Sequence, residues 1–221
     1  MRIALLTLVA ALCLPLTALG APAPKPLSKN LLKNPGAELG PATSDTAETP
    51  LPVPVPAWET TGGFYAAGYS GYRWAPAPAD KTKGSGAKFF VGCLAAPGQT
   101  VNLGTATQVA SIARWGAAID KGGVVLTFSA ELGGYNGTVN RALAEATFLN
   151  AAGAPVSRKI RLVGPTYLQR QGITRVEPRA ATAAVPKGAR QVRVKLTGSR
   201  AGSGPCGFVD SVSAVVGQVA K

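Results

Sequence analysis

The 221-residue sequence contains no histidine. This absence excludes Ser-His-Asp and Cys-His catalytic arrangements and every zinc site that is built on histidine. Acidic residues are also few, ten against 23 lysines and arginines, and no spacing among them singles out a carboxylate pair for hydrolysis. Beyond the N-terminus, no apolar run approaches the ~20 residues of a membrane-spanning helix. We therefore expect neither a membrane span nor a catalytic activity.

Residues 1–20 have the three parts of a secretory signal peptide. A basic start at Arg2 is followed by an uncharged apolar stretch and then by small residues on the N-terminal side of Ala21. The alternatives are that this segment is a buried helix or that Cys13 carries a lipid. We predict cleavage near Gly20–Ala21 and secretion to an extracellular or periplasmic space.

Cysteine is scarce, and the predicted cleavage makes it scarcer. Removal of Cys13 leaves Cys93 and Cys206. Exported chains fold in compartments that permit disulfides, so we expect these two residues to be paired. A bridge that closes so long a loop contributes about 4 kcal/mol when its geometry is unstrained. The alternative is a pair of buried free thiols.

Positive charge is abundant and unevenly placed. The chain has a formal net charge of +13, and between Arg158 and Arg200 eleven basic residues accompany a single acid, Glu177. A basic face attracts polyanions. We expect a polysaccharide or another cell-surface polymer, acidic polymers included, as the partner, and not a nucleic acid. The alternative is that arginine serves only as a solubilising charge.

Proline and glycine punctuate the chain into short segments. Residues 21–29 form a Pro-rich lead-in that we expect to be extended and mobile, and residues 41–56 contain five prolines and are predicted to be a loop. From there on, apolar and polar residues alternate with period two between turns. The segments with this pattern are 124–131, 142–149, 156–163, 191–196 and 207–216.

This alternation predicts an all-β fold, an antiparallel two-sheet β-sandwich over residues 30–217. In the strand at 191–196, Val192, Val194 and Leu196 face inward. The residues between them, Arg193 and Lys195, face solvent. In the segment 156–163, Lys159 and Arg161 are likewise predicted to face solvent. The predicted basic face consists of Lys159, Arg161, Arg193 and Lys195.

Two end segments carry a family resemblance. The segment 30–38 (NLLKNPGAE) and the segment 207–213 (GFVDSVS) resemble the first and last strands of galactose-binding-like jelly-roll domains, and the segments 128–135, 146–153 and 185–194 follow in matching order. This superfamily includes many carbohydrate-binding modules of secreted bacterial enzymes. The resemblance implies a jelly roll, and many of its members have no catalytic activity.

The resemblance also implies a structural calcium ion near the point where the first and last strands meet. The matching positions are Glu38 and Asp210, with backbone carbonyls completing the shell and Asn34 as a further oxygen donor. Carboxylates are the side chains that Ca²⁺ prefers. The alternative is that Glu38 pairs with an arginine and Asp210 caps a turn.

An aromatic segment at 58–74 holds six of the fourteen aromatic residues. Because aromatic rings stack on sugar faces, Tyr69, Tyr72 and Trp74 are the candidate ligand-binding residues, whereas Trp58 and Phe64 are assigned to packing.

Three functional hypotheses follow. The first is a secreted, non-catalytic module that binds carbohydrate or another cell-surface polymer. The second is a structural or adhesion protein of the envelope that acts through protein–protein contact. The third is a polysaccharide lyase or a hydrolase, because some jelly-roll lyases use Tyr with Lys or Arg on acidic sugars.

Overall fold

A computed structural model describes residues 23–43, 54–77, 85–93, 103–156, 159–200 and 205–219, and the predicted signal peptide lies outside them. Nearly all the regular secondary structure of the described residues is β-strand, and the one α-helix among them is short, α1 (Gly116–Lys121), after a 3₁₀ turn. The strands are β1 Lys25–Pro26, β2 Glu59–Thr61, β3 Tyr65–Gly68, β4 Lys88–Val91, β5 Leu103–Ser111, β6 Val124–Gly134, β7 Arg141–Leu149, β8 Ile160–Val163, β9 Arg175–Ala184, β10 Gln191–Ser199 and β11 Phe208–Gln218.

The strands lie in two antiparallel sheets, which confirms the predicted fold class. The first sheet has the order β3-β4-β11-β6-β9, with β1 paired to β11, and the second has the order β2-β5-β10-β7-β8. No helix within the described residues is long and apolar enough to cross a membrane.

Part of the N-terminal lead-in is extended, as predicted, and pairs with the last strand. Lys25 and Pro26 pair with Gln218 and Gly217, and Leu27 N donates to Val216 O at 2.8 Å. This part of the lead-in is therefore the start of the first sheet. Proline is compatible with this place because β1 is a short edge strand.

The core lies between the sheets and follows the predicted alternation. On β6 the inward side chains include Leu126 and Phe128, both fully buried, and on β10 they include Val192, Val194 and Leu196. Each strand of the pattern thus gives one face to the core and leaves the other free for solvent or for a second layer.

At one end of the sandwich the two sheets touch through glycine backbone. A Cβ atom on Gly92, just after β4, would overlap the Cα of Gly198 on β10, and a Cβ on Gly198 would overlap the Cα of Gly92. A Cβ on Gly104 of β5 would overlap the carbonyl oxygen of Gly92. We call Gly92, Gly104 and Gly198 the glycine seam. No other residue type permits so close an approach of two sheets.

The disulfide lies directly beside this seam. Cys93 and Cys206 are bonded with Cα atoms 5.3 Å apart, 113 residues apart in sequence. Next to the bridge, Gly92 N donates to Gly207 O at 3.0 Å. The bond therefore joins the chain just after β4 to the chain just before β11, which confirms the predicted pairing.

We predict that Gly198→Ala lowers the free energy of unfolding by about 3 kcal/mol, because the new methyl group must push two backbones apart. Gly137→Ala is the matched control, since a Cβ there meets no atom within 4 Å, and its effect should stay within about 0.5 kcal/mol. Urea denaturation of both variants measures the difference. Equal free energies of unfolding for the two variants would show that the backbones at the glycine seam can move apart without loss of stability.

Candidate functional site

The four predicted basic residues come together on the outer side of the second sheet. In the strand register, Lys195 on β10 lies opposite Glu145 on β7, and Glu145 lies opposite Arg161 on β8. Arg193 is two residues from Lys195 on β10 and lies opposite Thr147. Neighbouring strands are about 4.8 Å apart, so these side chains form a contiguous charged surface. We keep the name basic face for Lys159, Arg161, Arg193 and Lys195.

Glu145 is the carboxylate at the centre of this surface. Its Oε1 lies 2.8 Å from Lys159 Nζ and 4.0 Å from Arg161 Nε, and the side chains of these two cations are 56% and 61% exposed. Exposed ion pairs of this kind contribute little to stability. Within the described residues, no carboxylate lies at ion-pair distance from Arg193 or Lys195, so the basic face keeps an excess of positive charge.

A groove runs over the basic face. It has a volume of about 380 Å³ and is lined by Thr107, Glu145, Thr147, Lys159, Arg193 and Lys195. A second groove of about 500 Å³ shares Thr107 and extends over β5 toward Lys33 and Glu59. Together the two grooves form a trough across the second sheet, with cations at both ends.

The aromatic segment lies mostly inside the protein. Trp58 and Phe64 are buried in the main core, in agreement with their assignment to packing. Tyr72 is 3% exposed and belongs to a second apolar cluster on the outer side of the first sheet, where its hydroxyl lies 2.5 Å from that of Tyr65. The predicted surface position of Tyr72 is therefore wrong, because the loop that carries it folds back over this sheet.

The other two candidate aromatics are partly exposed and pack at the edge of this cluster. The Trp74 ring packs edge-on against Tyr72, and the guanidinium of Arg73 lies 4.3 Å from the centre of the Trp74 ring. The Tyr69 hydroxyl donates to Asp210 Oδ2 at 2.8 Å. Ligand binding by Tyr69 and Trp74 remains a prediction.

Beside the aromatic cluster lies a group of buried acids. Asp210 on β11 is fully buried and is the direct cross-strand partner of Glu131 on β6, itself 8% exposed. Glu131 accepts a hydrogen bond from Ser85 at 2.9 Å. Like charges placed opposite each other destabilise a strand pair. Sequence reasoning did not find Glu131, because its pairing with Asp210 depends on the strand register.

Burial raises the pKa of Asp210 to about 7. The hydrogen bonds from Tyr69 and from the Ser211 amide act in the opposite direction, and the charges of Glu131 and Glu38 raise the pKa further. Burial and the neighbouring Asp210 charge also raise the pKa of Tyr69. A buried carboxyl of this kind stays protonated near neutrality unless a cation compensates its charge.

The remaining predicted calcium residues lie close to Asp210. A Cβ atom on Gly36 would lie 3.1 Å from Asp210 Oδ1 and 3.8 Å from Glu38 Oε1, so the two carboxylates border the same small space. Glu38 also accepts hydrogen bonds from the amides of Ala87 and Lys88. Asn34 instead braces its own loop, accepting from Leu39 N at 2.8 Å and donating to Pro56 O at 3.0 Å.

No protein-family model and no curated protein matches this chain. Solved structures match it in fold. A cyclase from Fischerella sp. TAU is similar with a TM-score of 0.55 and 14% identity, over 88% of this chain and 99% of its own. A family 61 carbohydrate-binding module in complex with β-1,4-galactotriose is similar with a TM-score of 0.42 and 15% identity, over 86% and 99%.

A third similar structure is the enzymatically active domain of tailspike protein 4 of bacteriophage CBA120, with a TM-score of 0.49 and 18% identity. The match covers 86% of this chain but only 21% of the tailspike chain, so this chain spans about a fifth of that protein. The match to the cyclase and the two-sheet architecture show a β-sandwich fold and no more than that. They leave the function to be argued from the site.

We predict that, in the presence of a chelator, the protein becomes less stable as the pH rises from 5 to 8. Asp210 has its ordinary pKa of 3.8 in the unfolded chain and about 7 in the folded one. Between these values the folded state binds the extra proton, so raising the pH from 5 through the folded pKa lowers the free energy of unfolding by up to about 3 kcal/mol. Asp210→Asn should remove this slope.

Asp120→Asn is the control for this measurement. Hydrogen bonds from Arg190 and the Gly188 amide lower the pKa of Asp120 to about 2, so it is ionised in both states above pH 5. The slope between pH 5 and 8 should therefore persist in this variant. Denaturant unfolding at several pH values tests both, and a wild-type protein with a flat profile would contradict the prediction.

Proposed function

We propose that this chain is a secreted, non-catalytic module that binds an acidic polysaccharide or another acidic cell-surface polymer on its basic face. One observation carries the proposal: four cations surround a single carboxylate, Glu145, on one grooved side of the second sheet. The carbohydrate class of ligand comes from the resemblance of the end segments to carbohydrate-binding modules.

The geometry of the basic face suits a linear polyanion. The cations on β10 and those at β8 are separated by β7 and therefore lie about 10 Å apart, whereas cations two residues apart along a strand lie about 6.6 Å apart. A chain with regularly spaced acidic groups can therefore contact several of them in turn. Because Lys159 and Arg161 are well exposed, such contacts are partly solvated and weaken as salt increases.

The burial of Asp210 does not favour a catalytic role for its carboxyl group. Asp210 is fully buried. The groove of about 230 Å³ on that side of the first sheet is lined by residues that include Glu131 and Ser211 but not Asp210. A general acid must come within hydrogen-bond reach of its substrate. We therefore place the function on the basic face, although the matched cyclase shows that a similar fold can carry an enzyme.

We predict that the Arg193→Gln/Lys195→Gln variant binds polygalacturonate about tenfold more weakly than wild type, with a shallower dependence of affinity on salt. Lys29→Gln/Lys121→Gln removes the same charge from exposed positions elsewhere and should change affinity little. Titration at several salt concentrations measures both quantities. A neutral galactan tests whether charge is required. Failure of the wild type to bind any acidic glycan would refute the proposed function.

We also propose that the acid cluster binds a structural calcium ion. Asp210 and Glu38 would hold it, with backbone carbonyls and water, since both border the space at Gly36. Among the described residues, no group of three or more His, Cys, Asp and Glu is arranged as a metal site. Carbonyl oxygens must therefore supply most ligands, as they do in many calcium sites. The ion would supply the positive charge that the buried Asp210 otherwise lacks.

We predict that calcium raises the melting temperature at pH 7.5 and flattens the pH profile described above. At roughly 100 times the dissociation constant, the stabilisation amounts to about 2.7 kcal/mol. Glu38→Gln should reduce this response, whereas Glu59→Gln, at an exposed position on β2, should retain it. Scanning calorimetry with calcium, magnesium and chelator makes the comparison. An unchanged melting temperature in calcium would remove the metal from the proposal.

A further inference from the structure

Four large apolar side chains are exposed together at one end of the sandwich. They lie on the loop between β6 and β7 and on the loop between β8 and β9. We call them the apical patch: Val139, Tyr167, Leu168 and Ile173, with exposures of 55%, 36%, 71% and 39%. A cavity of about 220 Å³ opens between Val139 and the Tyr167–Leu168 turn, with Arg141 at its rim.

A buried arginine holds the two loops together. Arg170 is fully buried, and its Nη1 donates to Gly134 O at 2.7 Å, to Ile173 O at 2.9 Å and to Asn136 O at 3.0 Å. Its Nη2 donates to Thr138 O at 3.2 Å. Burial lowers the pKa of this guanidinium. Within the described residues no carboxylate pairs with it. Burial of its charge is therefore destabilising, and in return its hydrogen bonds to backbone carbonyls hold the two loops together.

The turn that displays Leu168 is also fixed from within. Thr166 N donates to Gln169 Oε1 at 2.8 Å, and Gln169 N donates to Thr166 Oγ1 at 3.2 Å, a reciprocal pattern like that of a helix capping box. Arg170 N further donates to Thr166 O at 3.0 Å. An ordered turn therefore keeps the Leu168 side chain exposed to solvent. Because the turn is already ordered, its backbone loses little conformational entropy when the patch binds.

The charges around the patch have one sign. Residues 134–141 and 164–175 contain no aspartate or glutamate and contain three arginines. Arg170 is the buried brace, and Arg175 pairs with Glu177 at 2.9 Å. Arg141, exposed at the rim of the cavity, remains available to an anion. An apolar tip, a tyrosine and an exposed arginine are the groups that suit the interface of an anionic bilayer.

We propose that the apical patch inserts into the surface of an anionic lipid bilayer. Leu168 and Val139 enter the boundary with the acyl chains, Tyr167 lies among the headgroups and Arg141 contacts lipid phosphate. A stable protein–protein interface buries about 800 Å² on each partner. The patch has only four large side chains, whereas a bilayer accepts a few inserted groups combined with electrostatic attraction. The site is separate from the basic face.

The test compares tryptophans at two exposed positions. Leu168→Trp should show a blue-shifted fluorescence with phosphatidylglycerol–phosphatidylcholine vesicles and should be quenched by brominated acyl chains. Val109→Trp is the matched control, because Val109 is 51% exposed on the outer side of the second sheet. Its emission should change little. Because Val109 is the cross-strand neighbour of Arg193, adsorption through the basic face alone would affect the Val109→Trp variant and leave the Leu168→Trp variant unquenched, and that result would overturn the proposal.

Affinity provides a second measurement. Val139→Ser/Leu168→Ser should reduce sedimentation with anionic vesicles at least about tenfold, because the two lost apolar contacts together are worth about 1.4 kcal/mol or more. Val109→Ser should bind as wild type does. Both changes are at exposed positions, and unchanged melting temperatures will show that the fold is intact. Undiminished vesicle binding by the double serine variant, or self-association that it abolishes, would assign the patch to another role.

Discussion

The contact between the two sheets at the glycine seam is the constraint on which the rest of the structure depends. Gly92 and Gly198 approach so closely that neither can carry a side chain. Over most of their area the two sheets are in contact through buried apolar side chains, whereas at the seam the backbone atoms of the two sheets are in direct contact. The seam fixes how β4 and β11 lie over β5 and β10. The adjacent disulfide joins the chain at Cys93 to the start of the last strand, which limits any sliding at this end.

With the sheets fixed in this way, their two outer sides are chemically different. The outer side of the first sheet is covered by a second apolar cluster that includes Tyr65, Tyr72 and Phe89, and it buries Asp210 beside that cluster. On the outer side of the second sheet, the part of the chain that the structure describes forms no comparable cover over the basic face. One side therefore carries buried acidic groups and the other exposed positive charge. The proposed cation site and the proposed polyanion-binding surface accordingly lie on opposite sides of the sandwich.

The sequence predicted what depends on local pattern. Alternation along β10 put Arg193 and Lys195 on the solvent side, and the even number of cysteines after cleavage predicted the disulfide. Strand β5 was not recognised, because its inward positions are small or polar, as at Gly104, Ala106 and Gln108. Tyr72 was misplaced because its burial depends on a loop that folds over the outside of a sheet, which periodicity does not report. The pairing of Glu131 with Asp210 depends on the register of two strands, and these two residues are 79 positions apart in sequence, so no local pattern contains it.

That register depends on an irregularity in the last strand. The pairing of β11 with β6 shifts between Asp210 and Ser213, and Ser211 adopts a left-handed conformation with φ of 49°. Such a bulge turns the strand locally and redirects its side chains. At the bulge, Val212 N donates to Pro35 O at 3.0 Å, and Asn30 Nδ2 donates to Val212 O at 2.9 Å. The bulge is thus the point at which the two end segments of the domain are joined. It brings the chain that carries Glu38 beside Asp210, and the acid cluster exists only because the last strand is irregular there.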